Sequence, residues 1–246
     1  MVKFEDMINN VILGDCYEII KNIPDKSIDF ICIDPPYKIE THGGGHGTLA
    51  KSIQKQHKEL EDNNIVNGIN NDILDLLCNK MKNINIAIFC NKNQLLQYMN
   101  YFNQKGALFD IITWHKNNAI PNFSFKYMSD TEYCLIFRKG AFMNKKTENY
   151  EDRKTWFVSN INVSDKNKFE HPTIKPLALV DKIIRNHTQE NDIVLDCFCG
   201  SGTTCVACKN TNRKYIGIEI NSKWHKVAVD RLNNKEASGQ QTLFTM

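Results

Sequence analysis

Four consecutive residues, Asp34-Pro35-Pro36-Tyr37, have the side chains best suited to chemistry, and they follow the apolar run 28–33. Proline fixes its φ angle and lacks an N–H, so the two prolines predict a stiff corner whose carbonyls face outward without competing donors. The Asp34 carboxylate and such a carbonyl can both accept hydrogen bonds from one amino group, while the Tyr37 ring can stack on a flat ligand. These residues favour a site that binds a planar, amine-bearing ring. The alternative is an ordinary strand exit, at which the prolines only end the strand.

A glycine-rich segment near the other end of the chain forms the second motif. It runs from Asp196 to Thr204, with glycines at 200 and 202, and follows a β-rich stretch. Glycines allow a backbone to approach a ligand closely, and the helix predicted to begin in this segment presents free N–H groups to an anion. A further predicted strand, 215–220, carries Glu219, which lies 23 residues along the chain from Asp196. This spacing is close to the roughly 20 residues expected for a carboxylate that binds ribose hydroxyls in a Rossmann-type unit.

Together these motifs resemble those of the amino-group DNA methyltransferases that use S-adenosylmethionine. Asp34-Pro35-Pro36-Tyr37 resembles the catalytic D-P-P-Y of that family, and residues 198–202, Phe-Cys-Gly-Ser-Gly, resemble its F-x-G-x-G cofactor loop. Residues 171–176, His-Pro-Thr-Ile-Lys-Pro, resemble the H-P-x-x-K-P element, and Gly14-Asp15 matches a weaker one. The catalytic motif precedes the cofactor loop, an order that resembles the β group of these enzymes. The resemblance covers the chain from about residue 10 to about residue 232.

The resemblance implies an α/β fold, in which a Rossmann-like, mostly parallel sheet with one antiparallel strand carries a circularly permuted motif order. We expect one methyltransferase domain over residues 1–246. The sequence supports the alternation of elements: 73–81 and 95–102 have helical spacing, and 84–89 alternates like a strand. Segments 109–114 and 132–137 are expected to be the two final strands, paired antiparallel. Residues 175–188 and 222–233 are predicted to be amphipathic helices.

The implied activity is methyl transfer from S-adenosylmethionine to the exocyclic amine of adenine in DNA. The catalytic residues would be Asp34, Pro35, Pro36 and Tyr37. Asp34 and the Pro35 carbonyl would accept hydrogen bonds from the amine, and Tyr37 would stack on the base. Because a base inside a duplex is out of reach, it would be flipped into this pocket at a cost of a few kcal/mol.

The resemblance also implies the residues that bind the cofactor. Phe198 and the two loop glycines would surround its methionine part, Glu219 would hold the ribose, and Asp15 would lie at the adenine end. Asp196 is expected to order the loop more than to touch the ligand, and Lys175 can also be read as a solvent-facing lysine at a helix start. The full predicted set is Asp15, Lys175, Asp196, Phe198, Gly200, Ser201, Gly202, Thr203 and Glu219.

Other activities are disfavoured to different degrees. Methylation of cytosine at the ring carbon needs a nucleophilic cysteine, usually after a proline, and the chain has no Pro-Cys pair. Methylation of the exocyclic amine of cytosine uses the same chemistry, and in the resembled family it usually goes with serine in place of Asp34. Methylation of RNA or of protein glutamine remains an alternative, although the permuted motif order favours DNA. A non-catalytic DNA-binding subunit is disfavoured because both motifs are intact.

Contacts to DNA must come from a local basic surface, because the net charge is only +3. The polar stretch 38–71 contains three consecutive glycines and several lysines, and it predicts a mobile loop; a solvated insertion is the alternative. Segment 116–127 interleaves aromatic residues with amides and lysines, which suits contacts to a base and a backbone; a turn stabilised by core aromatics is the alternative. Segment 141–169 lacks a clean period and is the predicted target-recognition region. The residues predicted to contact DNA are Lys51, Lys55, Lys116, Asn118 and Lys126.

Composition places the chain among ordinary globular enzymes, since 41% of its residues are hydrophobic and 24% are charged. No apolar run is long enough to span a bilayer, and the first residues lack a signal-peptide pattern. Nine cysteines, an odd number, then predict reduced thiols in a cytoplasmic protein. The cysteines at 197, 199, 205 and 208 are interpreted as small buried hydrophobic residues, and no metal site is expected.

The tail, 235–246, is polar and then apolar. Its residues Gln240, Leu243 and Phe244 have the spacing of the Q-x-x-L-F peptides that bind the bacterial sliding clamp. A tail that folds back on its own core is the alternative. The resemblance further implies a homodimer, with no residues in this sequence that identify its interface.

Overall fold

The computed structural model describes residues 2–38, 68–119, 127–144, 150–161 and 174–233. Several predictions from the sequence concern residues outside these ranges. They are the loop residues 39–67 with Lys51 and Lys55, the residue Lys126, parts of the predicted target-recognition region, the first half of the H-P-x-x-K-P element, and the tail with Gln240, Leu243 and Phe244.

The described strands form one eight-stranded sheet. In chain order they are β1 (Asn10–Leu13), β2 (Phe30–Ile33), β3 (Ile84–Cys90), β4 (Leu108–Lys116), β5 (Thr131–Lys139), β6 (Trp156–Ser159), β7 (Ile193–Asp196) and β8 (Lys214–Glu219). Their order across the sheet is β1-β8-β7-β2-β3-β5-β4-β6. Only β5 runs against its neighbours β3 and β4, and the other described pairs are parallel. The predicted sheet, mostly parallel with one antiparallel strand, is confirmed.

Helices cover both faces of this sheet. They are α1 (Phe4–Met7), α2 (Cys16–Ile19), α3 (Asn71–Lys80), α4 (Leu95–Gln104), α5 (Leu177–His187), α6 (Thr203–Asn210) and α7 (Ser222–Asn233), and 3-10 turns lie at Ile20–Asn22 and Tyr150–Arg153. None of the helices in the described part of the chain has the length and apolar character that crossing a bilayer requires.

Strand β2 shows why its sequence is a continuous apolar run. Successive side chains of a strand point to opposite faces of the sheet. Ile31 and Ile33 pack into a core that includes residues of α3 and α4, whereas Phe30 and Cys32 pack into a second core with residues of α5, α6 and α7. All four residues are buried. A central parallel strand that is covered on both sides has no polar face, which explains the lack of alternation.

The topology brings the two sequence motifs to the same edge of the sheet. Strands β2 and β7 are neighbours, but the chain leaves β2 toward β3 on one side and β7 toward β8 on the other. Ligands of open α/β sheets bind at such a switch point, outside the carboxyl ends of the strands. Asp34 follows β2 and the glycine loop follows β7, so the two sequence motifs meet here.

One feature of the sheet differs from the sequence-based expectation. Strands β4 and β5 pair antiparallel as predicted, but they are not the final strands, because β6 pairs with β4 and forms the edge. Strand β6 lies within the predicted target-recognition region. It has only four residues, of which Trp156 and Val158 are exposed, so neither its length nor its hydrophobicity set it apart from the surrounding loop.

Candidate active site

A cavity of about 390 Å³ lies at the switch point. Its walls combine the predicted catalytic corner, represented by Asp34 and Pro36, with the glycine loop and with aromatic side chains that include Tyr17, Phe89 and Trp224. All residues predicted to bind the cofactor line it except Gly202: they are Asp15, Lys175, Asp196, Phe198, Gly200, Ser201, Thr203 and Glu219. The cavity thus joins two motifs that are more than 150 residues apart in the sequence.

The Pro-Pro corner is held in place from β3 and the start of α4. The buried side chain of Gln94 donates a hydrogen bond to the Pro36 carbonyl at 3.1 Å, and the Asn91 amide donates to the Lys38 carbonyl at 2.9 Å. These two bonds fix the carbonyls on either side of Tyr37. The Pro36 carbonyl therefore has a protein donor, which leaves Pro35, itself buried, as the proline predicted to accept from a substrate amine.

Beside this corner lies a network of four charged side chains. Lys175 Nζ donates to Asp34 Oδ2 and lies 3.3 Å from Glu132 Oε2. The other oxygen of Glu132 lies 2.5 Å from Lys116 Nζ, and the Tyr37 hydroxyl donates to Glu132 Oε2 at 3.1 Å. Two carboxylates are thus balanced by two ammonium groups. Among the described residues, Asp34 Oδ1 is buried and has no hydrogen-bond partner.

The pKa values in this network follow from burial and from the charges nearby. Burial raises the pKa of Asp34, and the Lys175 ammonium only partly opposes this. Burial also acts to raise the pKa of Glu132, but Lys175 and Lys116 outweigh it and hold that pKa at about 2. Burial disfavours the charged form of Lys175, yet the carboxylates of Asp34 and Glu132 raise its pKa overall. Within this network the pKa of Glu132 is therefore lowered, whereas the pKa values of Asp34 and Lys175 are raised.

The glycine loop is built around Glu219 at the end of β8. Its two carboxylate oxygens accept from the backbone N–H groups of Gly200 and Asn221, both at 2.8 Å. Each carboxylate oxygen has a second lone pair, so Glu219 can also accept from hydroxyl groups in the cavity. Burial raises its pKa, and these two backbone N–H groups act in the opposite direction.

Asp196 orders the start of the loop. Its Oδ1 accepts from the Phe198 N–H at 3.1 Å, and its side chain is buried on the cavity wall. Burial raises its pKa to about 7, against weaker opposing effects from Thr204 and the Phe198 N–H. Asp15 has a similar local role, since its carboxylate accepts from the Tyr17 N–H at 2.9 Å and caps α2.

Gly202 serves helix packing and not the cavity wall. Its backbone is left-handed, with φ of 81°, and a Cβ at this position would lie 2.9 Å from the Cβ of Ala228 in α7. The same helix contributes Arg231, which is buried and donates to the Ser201 carbonyl at 2.7 Å and to the Thr203 hydroxyl at 3.3 Å. Helix α7 thus supports the loop from behind.

The two described residues among the predicted DNA contacts have partners within the protein. Lys116 is ion-paired with Glu132 and lies 5.0 Å from the centre of the Trp114 ring. The Asn118 side-chain oxygen accepts from the Ile161 N–H at 2.6 Å. Their predicted contacts to DNA stay predictions.

The sequence analysis missed the aromatic side chains of the cavity, Tyr17, Phe89 and Trp224. It also missed three residues that support the site: Gln94, Glu132 and Arg231. None belongs to a motif. Glu132 carried one detectable signal, an acidic residue directly before the apolar run 133–137 of a predicted strand. Gln94 and Arg231 lie in polar surroundings along the sequence, where nothing distinguishes them.

Comparison with known proteins identifies the family. A family model described as DNA methylase, N6_N4_Mtase, matches residues 28–230, which is most of the chain and includes both motifs.

The chain belongs to this DNA methylase family.

Three relatives support the assignment. The chain is 30% identical to the type II methyltransferase M2.MboI of Moraxella bovis over 229 residues, which cover 87% of this chain and 84% of that protein. It is 31% identical to the type II methyltransferase M2.LlaDCHI of Lactococcus lactis subsp. cremoris, over 92% of this chain and 90% of the relative. For M.HinfI of Haemophilus influenzae the identity is 30%, over 92% of this chain and 69% of the relative.

Two solved structures share the fold. A crystal structure of the M1.HpyAVI–SAM complex superposes with a TM-score of 0.65 at 30% identity, over 90% of this chain and 98% of that one. The PvuII DNA methyltransferase, described as cytosine-N4-specific, gives a TM-score of 0.66 at 18% identity, over 93% of this chain and 87% of that one. The second likeness concerns the fold alone.

Proposed function

We propose that this methyltransferase transfers a methyl group from S-adenosylmethionine to the exocyclic amine of adenine in DNA. One observation carries the proposal: Asp34 lies on the wall of the cavity with one carboxylate oxygen that has no partner among the described residues. A buried acceptor without a donor costs free energy, so the unpaired oxygen needs a functional reason. An amine of the substrate would supply the missing donor.

The residues of the cavity fit S-adenosylmethionine. Glu219 offers acceptors for ribose hydroxyls, aromatic side chains offer faces for an adenine ring, and the loop before α6 offers backbone N–H groups for a carboxylate. M1.HpyAVI, which shares 30% of its sequence with this chain, was solved with SAM. When bound, the cofactor supplies a methyl group carried on a positively charged sulfur.

The catalytic corner would activate the target amine. The lone pair of an adenine amine is delocalised into the ring, which makes the nitrogen a poor nucleophile. Hydrogen bonds from the amine to Asp34 Oδ1 and to the Pro35 carbonyl strengthen as positive charge develops on nitrogen, so they favour the transition state over the ground state. The nitrogen forms a bond to the methyl carbon as the carbon–sulfur bond breaks, and the methylated amine then releases a proton to solvent. Tyr37 would stack on the flipped base.

The choice of adenine rests on Asp34. In the resembled family, serine usually occupies this position when the target is the amine of cytosine. The fold is neutral on this point, because it is shared with a cytosine-N4-specific enzyme. Transfer to the amine of cytosine is the second candidate, since the chemistry is the same.

The test is transfer of labelled methyl from S-adenosylmethionine to unmethylated DNA, followed by digestion to nucleosides. We expect label in N6-methyl-2′-deoxyadenosine. Label in N4-methylcytosine would overturn the choice of adenine and preserve the chemistry, and absence of label in any DNA nucleoside would overturn the proposed substrate. Asp34→Asn should lose transfer while it still binds the cofactor, because the amide keeps the shape of the side chain but replaces one acceptor oxygen with a donor. Asp29→Asn, which alters an acidic residue at the opposite end of β2, is the matched control.

We further propose the contacts that deliver DNA and partners to the site. DNA would contact Lys51, Lys55, Lys116, Asn118 and Lys126, with the target sequence read by residues 141–169. Gln240, Leu243 and Phe244 would bind a sliding clamp, and the enzyme would act as a homodimer. Light scattering of the purified protein tests the dimer, and loss of clamp binding on deletion of 240–246 tests the tail.

A further inference from the structure

Glu132 lies beside the amine-binding corner, yet it belongs to no sequence motif and does not line the cavity. The antiparallel register places it directly opposite Trp114, on the face of the sheet that α5, α6 and α7 cover. Lys116, two residues further along β4, points to the same face and pairs with it. Lys175 reaches the same carboxylate from the segment that precedes α5. Glu132 therefore joins three separate elements to the catalytic corner.

The partners of Glu132 are the residues that shape the corner. Its Oε2 accepts from the hydroxyl of Tyr37, which sets the plane of the ring predicted to stack on the base. The same oxygen lies near Lys175, which also binds Asp34. Without Glu132, the Lys175 ammonium would have Asp34 as its one remaining carboxylate among these residues. Because Lys175 is shared between Asp34 and Glu132, it restricts the position of the Asp34 carboxylate less than it would if Asp34 were its one carboxylate partner.

We propose that Glu132 is a positioning residue of the methyltransferase site: it fixes the Tyr37 ring and shares Lys175 with Asp34, so that Asp34 Oδ1 stays available to the substrate amine. The inference rests on the proposed function, since it assigns Glu132 a role in presenting the amine.

The proposal has an electrostatic consequence that packing alone would not produce. The titratable groups that face Asp34 are Lys175, Glu132 and Tyr37. Behind them lie Asp196 of β7, Cys32 of β2, Cys90 of β3, Cys134 of β5 and Tyr98 of α4. The negative charge of Glu132 raises the pKa of Asp34, and Lys175 lowers it. Removing the charge of Glu132 therefore lowers the pKa of Asp34.

The experiment compares Glu132→Gln with the wild-type protein and with Asp110→Asn. Asp110 pairs with Arg138 between the same two strands, at the end far from the site, so its variant breaks a similar ion pair elsewhere. We expect Glu132→Gln to reduce kcat for methyl transfer to DNA by about tenfold to a hundredfold. Its Kd for S-adenosylmethionine should stay unchanged, and the acid limb of its pH–rate profile should move to lower pH. Asp110→Asn should change none of these.

The variant Glu132→Asp distinguishes the effect of the negative charge at position 132 from the effect of the side-chain contacts. It restores the negative charge, so the acid limb should return to its wild-type position. The shorter side chain cannot reach the Tyr37 hydroxyl and Lys116 together, so kcat should stay low. A variant Glu132→Gln with wild-type kcat and wild-type pH dependence would overturn the proposal, and so would equal losses of kcat and of cofactor binding, which indicate a general structural defect.

A second measurement does not depend on methyl transfer. The carboxyl carbon of Asp34 can be followed by NMR titration of ¹³C-labelled protein, with the signal assigned by its loss in Asp34→Asn. The proposal expects a lower titration midpoint in Glu132→Gln than in the wild-type protein, and an unchanged midpoint overturns it. If wild-type protein fails to methylate DNA, the proposed function fails on that result, and the titration still decides the inference about Glu132.

Discussion

Lys175 Nζ donates a hydrogen bond to Asp34 Oδ2, which joins the segment before α5 to the Pro-Pro corner after β2. Both side chains are largely removed from solvent, with 6% of Lys175 and 25% of Asp34 exposed. A buried ion pair costs desolvation for both partners, so it is weak evidence for stability by itself. Its evident effect is on protonation, because the ammonium favours the ionised form of a carboxyl group whose pKa burial raises.

The first prediction concerns this pair. In Lys175→Met, burial raises the pKa of Asp34 without the opposing cation, so a larger fraction of Asp34 is protonated at a given pH. Only ionised Asp34 leaves both oxygens as acceptors, so the acid limb of kcat/KM should move to higher pH. Lys82→Met, which removes a lysine paired with Asp29 away from the site, should leave the profile unchanged. The pH–rate profiles of both variants test this prediction. An unchanged acid limb in Lys175→Met would show that Lys175 does not control the protonation of Asp34.

The second prediction concerns the pKa of Asp196, which burial raises to about 7. A carboxyl group whose pKa is raised on folding destabilises the folded state at pH values above its unfolded pKa of about 3.9, and the penalty grows until the pH exceeds the folded pKa. Asp196→Asn removes this penalty and keeps an acceptor for the Phe198 N–H. The stability of Asp196→Asn relative to wild type should therefore increase from pH 5 to pH 8, by up to about 3 kcal/mol. Urea denaturation at both pH values measures it, and a difference independent of pH would show that Asp196 does not titrate in this range.

The third prediction distinguishes two costs of a side chain at Gly202: the strain of a left-handed backbone and the steric contact with Ala228. Alanine at a left-handed position is destabilising, and at Gly202 its Cβ would also meet Ala228 at 2.9 Å. Gly106 has a similar φ of 69°, but its Cβ would find only the end of the Lys139 side chain, at 3.6 Å. We expect Gly106→Ala to cost about 1 kcal/mol and Gly202→Ala about 2–4 kcal/mol.

Thermal or urea unfolding of the two glycine variants measures the difference. Gly202→Ala should also weaken cofactor binding, since the loop must shift away from α7. Equal destabilisation of the two variants would show that the contact with Ala228 relaxes without cost.

The fourth prediction tests support of the loop by α7. Arg231→Met keeps much of the apolar stem but removes the hydrogen bonds to Ser201 and Thr203. Their polar groups then lose a charged donor inside the protein, and the loop loses its fixed shape. We expect the Kd for S-adenosylmethionine to rise about tenfold. Lys226→Met, on the exposed face of the same helix, should bind the cofactor like wild type. Calorimetric titration measures the Kd for S-adenosylmethionine of both variants. Equal Kd values would show that Arg231 does not support the cofactor loop.

The motifs could be predicted from the sequence because each depends on the backbone preferences of a few neighbouring residues. Prolines fix φ at the corner, glycines permit the positive φ angles at 200 and 202, and the apolar run before Asp34 predicts a strand buried on both sides. The spacing from Asp196 to Glu219 reflects one strand–helix–strand unit, whose length the sequence sets directly. The fold class and the cofactor loop could therefore be predicted without the structure.

Tertiary structure alone decided which distant side chains meet at the site. Glu132 reaches Lys116 because β5 runs antiparallel to β4 in a register that places Glu132 opposite Trp114, and a shift of one residue would turn it to the other face. Arg231 reaches Ser201 only through the packing of α7 against the loop. Such contacts depend on the order, direction and register of whole elements, and no short stretch of sequence specifies these. The sequence by itself determined which reactive side chains are present and the backbone conformation around them. The assembled sheet determined which side chains become their partners and how burial and neighbouring charges shift their pKa values.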